Sequence, residues 1–554
     1  MRLTRLIRFR WGAAAGGVAA VLALAAAQGT AAGAAIQGAA PSGPAHRAPG
    51  ASGNHPGAAP WSGNLLGDGN GEAGYCTRDW NAATTIPGWT VSTGSPNVMC
   101  YTVGRVRHPG GVTGQGFFSS GPYGDSAMTQ TAWLAPRAPA GGSLSYRVSG
   151  WLGGWKAEPG RVTVSLAFLS RSGHQAGAPV ALRTVNRASR HGRTAFLRRV
   201  MSGTVPPGTA SIRVGVRFSR SSAPPGGEPE PSGPGGGMLD NLSLQVSAPQ
   251  PAARLVPPRA AVPHFDHVFM IMMENTNGSA VLSGRSHMPF FRTLMARGTT
   301  LANYHAVYHP SDENYLAIAG GDTYARGAIY WPDISDPHPN LGDELEARSM
   351  TWKAYEQGMG YRCNDRASTE FTYDKYYYPD DAPFINYTDV SGSRARCKAH
   401  LVDARQLGTD LKSAAATPDF SWIAADDYYD GESAGNGDRH SREVQDGWLK
   451  RTVTPILSSP AWRTQKSLLI ITWDEAGVTA RTAEAGNRVA TVVVGSQGSV
   501  RAGYTSPVRY DHYSAARTIE EALGVAPFTA NDEYATPFGD AFTVTRHARD
   551  GKVS

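Results

Sequence analysis

The chain has 554 residues, of which 41% are hydrophobic and 18% charged, and its formal net charge is +7 with a pI near 9.1. This composition is that of a globular protein and excludes a mainly disordered chain. Residues 1–30 contain four Arg and no acid, and residues 31–250 contain 18 basic and 8 acidic side chains. Residues 251–554 contain 30 basic and 37 acidic side chains. This uneven distribution argues against a uniformly basic nucleic-acid-binding protein.

The N-terminus has the pattern of a secretory signal peptide. Four arginines between Arg2 and Arg10 precede an apolar run of small residues, Gly12–Ala27. The alternative is an uncleaved membrane anchor, but a bilayer needs about 20 apolar residues, and the Ala and Gly of this run insert weakly. We therefore expect a signal peptide at residues 1–30, a secreted, extracellular protein, and no transmembrane span after signal removal.

The four cysteines are compatible with an oxidising compartment. Cys76 and Cys100 lie in the first half of the chain, and Cys363 and Cys397 lie in the second. Pairing within each half is the simplest of the three connectivities, because each bond then closes a short loop inside one domain. A cysteine zinc site is the alternative, but no pair has the close spacing of such sites. The expected disulfides are Cys76–Cys100 and Cys363–Cys397.

The first half of the chain contains a linker followed by a β-rich segment. Residues 31–60 are rich in Gly, Ala, Pro and Ser, which is typical of a flexible linker. In residues 61–248, alternating apolar runs such as Leu144–Val148 are separated by Gly/Pro-rich turns, and this predicts an all-β jelly-roll sandwich. Its opening residues Asn64–Leu66 and closing residues Met238–Leu244 resemble the first and last strands of galactose-binding-like carbohydrate modules.

Two features of this β-rich segment bear on a ligand. Trp89, Trp151 and Trp155 either stack on sugar rings or fill the core, and we expect at least one of them in the core. The basic stretch Arg183–Arg193 is either a solvated face or a contact to anionic cell-wall polymers or lipid headgroups. A cell-wall glycan or an anionic surface is therefore a candidate partner of this segment.

The second half of the chain has a different pattern. A Pro-rich linker at residues 249–264 precedes a domain at residues 265–545, and residues 546–554 form a tail. Within the domain, apolar strand-like runs such as Val268–Met273 and Leu468–Thr472 alternate with helix-like stretches. Strands buried on both faces and separated by helices predict an α/β domain with a mostly parallel sheet.

Polar side chains follow the two most hydrophobic strands of this domain. Glu274 and Asn275 come directly after one strand, and Asp474 and Glu475 after the other. Ligands bind at the carboxyl ends of strands in such sheets, and clustered carboxylates repel one another unless a cation or a proton neutralises them. The alternative is that each acid caps the next helix. On the residues alone, a cation site and helix capping have equal weight.

Two further clusters lie near predicted helix starts. Ser311 in the run His309–Tyr315 is placed as a helix N-cap, with acids in the first helical turn. The same position suits a nucleophile, because the N–H groups of a helix N-terminus bind phosphate oxygens and a metal lowers the pKa of a hydroxyl. His512 is either a ligand, a proton donor or, as is more common for a lone histidine, a structural residue.

Together these motifs resemble the phosphoesterase family of acid phosphatases and phospholipase C-type enzymes, which has an alkaline-phosphatase-like fold. The resemblance is carried, in the expected order, by Phe265–Asn275, the HPS-x-x-NY run at His309–Tyr315, Thr472–Glu475 and Asp511–Ser514. The HPS-x-x-NY form is most similar to the acid-phosphatase branch. The resemblance implies metal-dependent hydrolysis of phosphate esters, with monoesters ahead of phospholipid diesters.

The resemblance also implies a role for each matched residue. Ser311 would take the phosphoryl group as a covalent serine phosphate, Asn314 would bind a phosphate oxygen, and His512 would assist at the metal or the leaving group. The residues that would hold a divalent cation (Ca²⁺, Mg²⁺, Mn²⁺ or Zn²⁺) are Glu274, Asn275, Asp474 and Glu475.

The chain departs from the family pattern where two histidines are usual. Asp381 and Glu432 stand at these positions. Added carboxylates weaken anion binding unless a second or harder cation is present. The members of the secondary site that we expect are His309, Asp381, Asp430, Glu432 and Asp511. Two alternative functions stay open: a phospholipase C-type phosphodiesterase, and a catalytically degenerate cell-surface or glycan-binding protein.

Overall fold

A computed structural model of the chain describes most residues between Trp61 and Thr543. The described ranges are 61–122, 125–135, 143–219, 236–251, 253–259, 262–324, 335–369, 376–432, 438–477 and 486–543. The predicted signal peptide, the linker at residues 31–60 and the tail at residues 546–554 lie outside these ranges. Within them, no helix combines the length and the apolar character needed to cross a membrane.

The N-terminal region forms a sandwich of two five-stranded sheets. Its strands are β1 Thr90–Thr93, β2 Asn97–Cys100, β3 Gly116–Ser119, β4 Ser126–Trp133, β5 Ser145–Gly154, β6 Arg161–Leu169, β7 Val180–Ala181, β8 Ala195–Thr204, β9 Ser211–Ser219 and β10 Gly237–Val246. One sheet has the order β1-β4-β9-β6-β7 and the other β2-β3-β10-β5-β8, and every neighbouring pair is antiparallel. Alternate side chains, such as Val148 on β5 and Val164 on β6, meet in one core. The jelly-roll topology and the likeness to carbohydrate modules stay predictions.

The aromatic and basic residues singled out in the sequence divide between core and surface. Trp89 and Trp155 are buried, as expected for at least one of the three tryptophans, whereas Trp151 is partly exposed. Arg190 of the basic stretch is buried as well, and its guanidinium donates hydrogen bonds to backbone carbonyls such as that of Gly154. The stretch is therefore not one continuous exposed basic face.

The C-terminal region is an α/β domain that contains one eight-stranded sheet and two smaller sheets. The strands of the domain are β11 His267–Met273, β12 Thr299–Leu301, β13 Tyr304–His305, β14 Trp352–Glu356, β15 Ser368–Thr369, β16 Tyr376–Tyr377, β17 Leu401–Asp403, β18 Phe420–Ala424, β19 Ser467–Trp473, β20 Arg488–Val489, β21 Thr491–Gly495, β22 Tyr504–Ser506 and β23 Tyr510–Asp511. Its α-helices are α1 Gly278–Leu282, α2 Pro289–Arg297, α3 Asp312–Gly320, α4 Leu341–Ala347, α5 Thr388–Ser391, α6 Arg394–His400, α7 Leu407–Asp410, α8 Arg439–Ser458, α9 Pro460–Thr464, α10 His512–Leu523 and α11 Ala530–Glu533.

The large sheet has the order β17-β14-β18-β11-β19-β21-β12-β22. Neighbours are parallel except where β21 pairs with β19 and β12, so the prediction of a mostly parallel sheet is confirmed. Every residue of β11, β18 and β19 is buried, which explains their continuous apolar sequences. Because β14, β18, β11 and β19 are parallel neighbours, their carboxyl ends lie side by side. We call this line of strand ends the carboxyl edge.

Both expected disulfides are present. Cys76–Cys100 joins the start of the sandwich to β2, and Cys363–Cys397 joins the loop after β14 to α6. The described residues contain no unpaired cysteine, so the cysteine zinc site that was the alternative is wrong.

Candidate active site and metal centre

Acidic residues end or follow all four strands of the carboxyl edge. They are Glu356 at the end of β14, Asp426 and Asp427 after β18, Glu274 after β11, and Asp474 and Glu475 after β19. All six are buried. The sequence analysis identified only the acids after β11 and β19. The run Ala424-Ala425-Asp426-Asp427 has the same pattern of an apolar strand followed by acids, and it would have pointed to β18.

Asn275 joins the ends of β11 and β19. Its backbone N–H donates to Asp474 Oδ1 at 2.9 Å, and its side-chain Nδ2 donates to Glu274 Oε2 at 2.9 Å. Asn275 has φ +50°, a left-handed conformation that Asn tolerates better than most residues. The other oxygen of Glu274 accepts a hydrogen bond from the Tyr315 hydroxyl on α3 at 2.9 Å. The predicted metal ligands Glu274, Asn275 and Asp474 therefore form one connected group.

Ser311 lies directly before α3, as predicted, but its hydroxyl does not cap the helix. Burial raises the pKa of the Asp474 carboxyl well above its ordinary value, and the nearby Ser311 hydroxyl acts in the opposite direction. The nine residues of α3 are all buried, so the helix has a fixed position against the sheet. Ser311 thus lies at the N-terminal end of a helix, which favours negative charge, and near an acid of the carboxyl edge.

His309 also belongs to this site. Its Nδ1 pairs with Oε2 of Glu475, and both side chains are largely buried. The pair connects the loop before α3 to the residues that follow β19. The predicted secondary-site residue His309 therefore lies beside the predicted metal ligand Glu475.

Three carboxylates form a compact group at the carboxyl edge. Glu274, Asp381 and Asp430 each place one oxygen so that the three oxygens lie within 4.8 Å of one another, and we call this group the carboxylate triad. Oδ2 of Asp381 and Oδ2 of Asp430 are buried and have no hydrogen-bond partner in the described part of the chain. Glu432 lies next to the triad, and its backbone N–H donates to Asp430 Oδ1 at 2.8 Å.

Burial and mutual repulsion make these carboxylates hard to ionise. Burial, followed by repulsion from Asp474, raises the pKa of Glu274 well above its ordinary value. Burial is also the largest cause for Asp381 and Asp430, and repulsion from Asp427 and Glu432, respectively, comes next in raising their pKa. Such a group needs protons or a cation to be stable. Its unpartnered oxygens are hard ligands, which fit a divalent cation such as Ca²⁺, Mg²⁺ or Mn²⁺.

His512 contacts two protein groups, and its predicted role at the metal or the leaving group stays a prediction. Its Nδ1 lies 3.0 Å from the Tyr304 hydroxyl, and its Nε2 lies 2.6 Å from the Asp474 backbone carbonyl. Burial lowers the pKa of His512 to about 4, so the ring is neutral at physiological pH. Both ring nitrogens are therefore within hydrogen-bond distance of protein atoms. His512 holds the backbone of Asp474 in place.

Asn314 likewise contacts backbone and not open space. Its Oδ1 accepts from the N–H groups of Val307 and Tyr308 at 3.0 Å each, and its Nδ2 donates to the carbonyls of Tyr308 and Pro310 at 3.1 and 3.2 Å. Both Nδ2 hydrogens are thereby used, so the amide has no donor left for a phosphate oxygen. Asn314 holds the loop that precedes Ser311.

Asp511 is a helix cap. Its Oδ1 accepts hydrogen bonds from the backbone N–H and the hydroxyl of Ser514 at 2.9 and 3.1 Å, at the start of α10. Asp511 thus caps α10, and its membership of a secondary site stays a prediction. The sequence analysis also missed Asn487, which donates from Nδ2 to the Tyr308 carbonyl at 2.7 Å and accepts from the N–H of Ala476 at 2.7 Å.

Comparison with known proteins finds one family model and several relatives that each match about half of this chain. Residues 276–526 match the sequence model of the Phosphoesterase family. The chain is 28% identical over 285 residues to the phosphatidylinositol-3-phosphatase of Mycobacterium tuberculosis, which covers 51% of this chain and 84% of that protein. It is 26% identical to a probable acid phosphatase of Kluyveromyces lactis and 22% identical to an acid phosphatase of Aspergillus fumigatus. These matches cover 46% and 50% of this chain, and 58% and 61% of the fungal proteins.

Solved structures with weaker likeness include an alkaline phosphatase superfamily protein from Vibrio parahaemolyticus, at 11% identity and a TM-score of 0.37 over 50% of this chain and 72% of that chain. The lipoteichoic acid synthase LtaP from Listeria monocytogenes matches at 11% identity and a TM-score of 0.32, over 50% of this chain and 77% of that chain. These scores add nothing to the assignment of the fold, which stands on the sheet described above.

Proposed function

We propose that this chain, whose residues 276–526 belong to the phosphoesterase family, hydrolyses phosphate monoesters with Ser311 as the nucleophile and a divalent cation at the carboxyl edge. The observation that carries the proposal is the place of Ser311 at the N-terminal end of α3, two residues after His309, whose Nδ1 pairs with Glu475 of the carboxyl edge. Monoesters are favoured because the relatives quoted above are all named phosphatases.

The residues present suit a divalent cation. Asn275 and Asp474 would hold it beside Ser311, and Oδ2 of Asp474 is a buried oxygen without a hydrogen-bond partner. Such a cation would lower the pKa of the Ser311 hydroxyl and screen the negative charge of the phosphoryl group. The carboxylate triad adds further oxygen ligands, which supports a hard cation in preference to Zn²⁺.

In the proposed reaction, Ser311 Oγ loses its proton to solvent and forms a bond to phosphorus, the ester P–O bond breaks, and the alcohol leaves with a proton from solvent. Water then cleaves the serine phosphate, which releases inorganic phosphate and restores the hydroxyl. The helix dipole of α3 favours negative charge beside Ser311 in both steps. His512 and Asn275 act indirectly, by holding Asp474 in place. His512 bonds to the Asp474 backbone carbonyl, and the Asn275 N–H donates to the Asp474 carboxylate.

Trapping the phosphorylated enzyme tests this proposal. Purified protein is incubated with p-nitrophenyl phosphate and each of Ca²⁺, Mg²⁺, Mn²⁺ and Zn²⁺, quenched in acid, and mapped by peptide mass spectrometry. We expect one phosphate on Ser311 and no turnover by the Ser311→Ala variant. The matched control is Ser283→Ala, which removes an exposed hydroxyl on the same domain. Unchanged turnover by Ser311→Ala would show that the nucleophile is another residue.

A lipid phosphate is the second candidate substrate. It is favoured by the relative named phosphatidylinositol-3-phosphatase, of which the match covers 84%. Phosphate release from vesicles with and without phosphatidylinositol 3-phosphate, compared with p-nitrophenyl phosphate and its choline diester, separates this candidate from a small-molecule phosphatase and from a phosphodiesterase. Absence of turnover with every ester and metal would favour the degenerate binding protein.

Secretion belongs to the same proposal. The two disulfides suit an oxidising compartment, and the fungal relatives are acid phosphatases. A glycan or an anionic surface as partner of the sandwich rests on the partly exposed Trp151 and on the exposed arginines around Arg187. Binding of the full chain to cell-wall preparations, with and without high salt, tests this partner.

A further inference from the structure

A short segment of the sandwich lies directly on the α/β domain. Residues Ala59–Ser554 form one compact unit, and within it we call Asp79–Thr85 the docking segment. The backbone N–H of Ala83 donates to the Val307 carbonyl at 2.8 Å, and the Tyr513 hydroxyl donates to the Ala83 carbonyl at 3.1 Å. Ala83 is thus bonded on one side to the loop before α3 and on the other to α10.

Apolar packing supports these hydrogen bonds. Ala83 belongs to a buried cluster with Val307, Ala317, Tyr513 and Ala535, all of which come from the α/β domain. Ala83 is the single contribution of the sandwich to this cluster among the described residues. A small side chain at this position permits the close approach that the two backbone hydrogen bonds require.

The strongest link to the active site runs through Tyr308. This residue is fully buried, and its hydroxyl donates to Asp79 Oδ2 in the docking segment at 2.7 Å. Its backbone is held by the α/β domain, since Asn314 accepts from its N–H and both Asn314 and Asn487 donate to its carbonyl. Tyr308 lies three positions before Ser311. Both domains therefore bond to Tyr308, which lies in the loop before Ser311: the sandwich bonds to its hydroxyl and the α/β domain to its backbone.

The docking segment is itself anchored in the sandwich. Cys76 is joined to Cys100 at the end of β2, and Thr77 makes backbone hydrogen bonds with Val98 and Cys100 at 2.8 and 2.9 Å. These bonds fix the segment two residues before Asp79. Its position is thus tied to the β2–β3–β10 side of the sandwich and is not that of a loose linker.

We infer that the β-sandwich contributes to the phosphoesterase site: Asp79 and Ala83 hold Tyr308 and Val307, and so position the loop that carries Ser311. This inference rests on the proposed function. Asp79 and Tyr308 are positioning residues, because they act on the reaction through the loop that carries Ser311. The sandwich then contributes to turnover whatever else it binds.

Two variants at the contact between the domains, with a tyrosine variant inside the sandwich as control, test the inference in the full-length protein. Tyr308→Phe and Asp79→Ala each remove the hydrogen bond between the domains, and we expect kcat to fall about three- to tenfold with KM within about twofold. The double variant should lose no more than either single variant, because both remove the same interaction. Tyr101→Phe is the control: its buried hydroxyl donates to Asp240 Oδ2 at 2.6 Å wholly inside the sandwich. This variant should keep the wild-type kcat.

Amide hydrogen exchange gives a second measurement that does not depend on activity. Exchange of residues 307–311 should be faster in Asp79→Ala and unchanged in Tyr101→Phe. Asp79 is partly exposed, so this variant should fold even if Tyr308→Phe does not.

Two outcomes would overturn the inference. In the first, Asp79→Ala has the wild-type kcat and the wild-type amide exchange, while Ser311→Ala abolishes turnover. This result would overturn the inference and leave the proposed function intact. The other is an equal loss of kcat in Tyr101→Phe, because general destabilisation would then explain the effect. By contrast, turnover that survives in Ser311→Ala contradicts the proposed function itself. In that case, amide exchange of residues 307–311 in Asp79→Ala is the measurement that decides whether the docking segment holds the loop.

Discussion

In the β-sandwich, the buried side chains of Arg190 and Asp240 have hydrogen-bond partners in the protein itself. The Arg190 guanidinium donates to backbone carbonyls, and Asp240 accepts the Tyr101 hydroxyl. At the carboxyl edge of the α/β domain, buried acids face one another, and Asp381 and Asp430 each keep an oxygen without a hydrogen-bond partner in the described chain. Such burial is unfavourable unless a proton or a cation compensates it. We therefore expect Arg190 and Asp240 to stabilise the fold of the sandwich and the acids of the carboxyl edge to bind a cation.

The largest expected effect compares one acid from each region. Asp474→Asn should lower kcat/KM by roughly 10²- to 10³-fold, because the variant loses the charge that we propose holds the cation beside Ser311. Asp240→Asn should leave kcat/KM unchanged, since Asp240 lies in the sandwich. Steady-state kinetics on p-nitrophenyl phosphate measure both. Equal losses would show that the two buried acids do not differ in role.

The two disulfides allow a second comparison between the regions. Replacing either cysteine pair by alanine should lower the free energy of unfolding by about 2–4 kcal/mol, because the closed loops are similar, with separations of 24 and 34 residues. Only the Cys76→Ala/Cys100→Ala variant should also lower kcat, through the docking segment. Urea unfolding and kinetics at a temperature where both variants are folded measure this. A fall in kcat confined to the Cys363→Ala/Cys397→Ala variant would contradict the docking role.

Cation binding should stabilise the α/β domain through the carboxylate triad. A divalent cation at 100 times its Kd would add about 2.7 kcal/mol to the free energy of unfolding, seen as a rise in Tm that a chelator reverses. Asp381→Asn/Asp430→Asn should lose most of this rise. The control is Asp125→Asn, which changes an acid of the sandwich that pairs with Arg217. An equal rise in Tm for the wild type, the double variant and Asp125→Asn would show that the cation binds outside the carboxylate triad.

The smallest expected effect is a pH dependence inside the sandwich. Burial raises the pKa of Asp240 to about 6 from an ordinary value of 3.8. Because the folded state binds this proton more tightly, the contribution to stability is full below about pH 4, is lost as pH rises to about 6, and is constant above. The loss is on the order of 1–3 kcal/mol. The difference in urea unfolding between wild type and Asp240→Asn should follow this curve, and a pH-independent difference would contradict it.

Much of the architecture could be predicted because its signals are local. The unbroken apolar runs that became β11 and β19 identified buried parallel strands, and the acids after them identified the carboxyl edge. The same logic applied to β18 would have identified Asp426 and Asp427. Pairing within each half gave both disulfides correctly, since short loops are the simplest closures.

The roles of individual polar residues were harder to predict. Asn314, His512 and Asp511 fall inside family-like motifs, yet the structure directs them to backbone groups of Tyr308, Asp474 and Ser514, respectively. A motif places a residue along the chain, whereas the atoms that a side chain reaches depend on segments far away in sequence. Asn487, at 179 residues from Tyr308, has no sequence signal of its own.

The sequence by itself determined the β-rich and α/β segments, the parallel sheet, the disulfides and the position of Ser311 before a helix, because periodicity, turn residues and strand length are encoded in neighbouring positions. Only the tertiary structure decided that Asp381 and Asp430 join Glu274 in one carboxylate group, and that Asp79 of the sandwich meets Tyr308 beside the nucleophile. These are contacts between distant segments. They depend on how the strands are ordered and how the two domains pack, which local patterns do not specify.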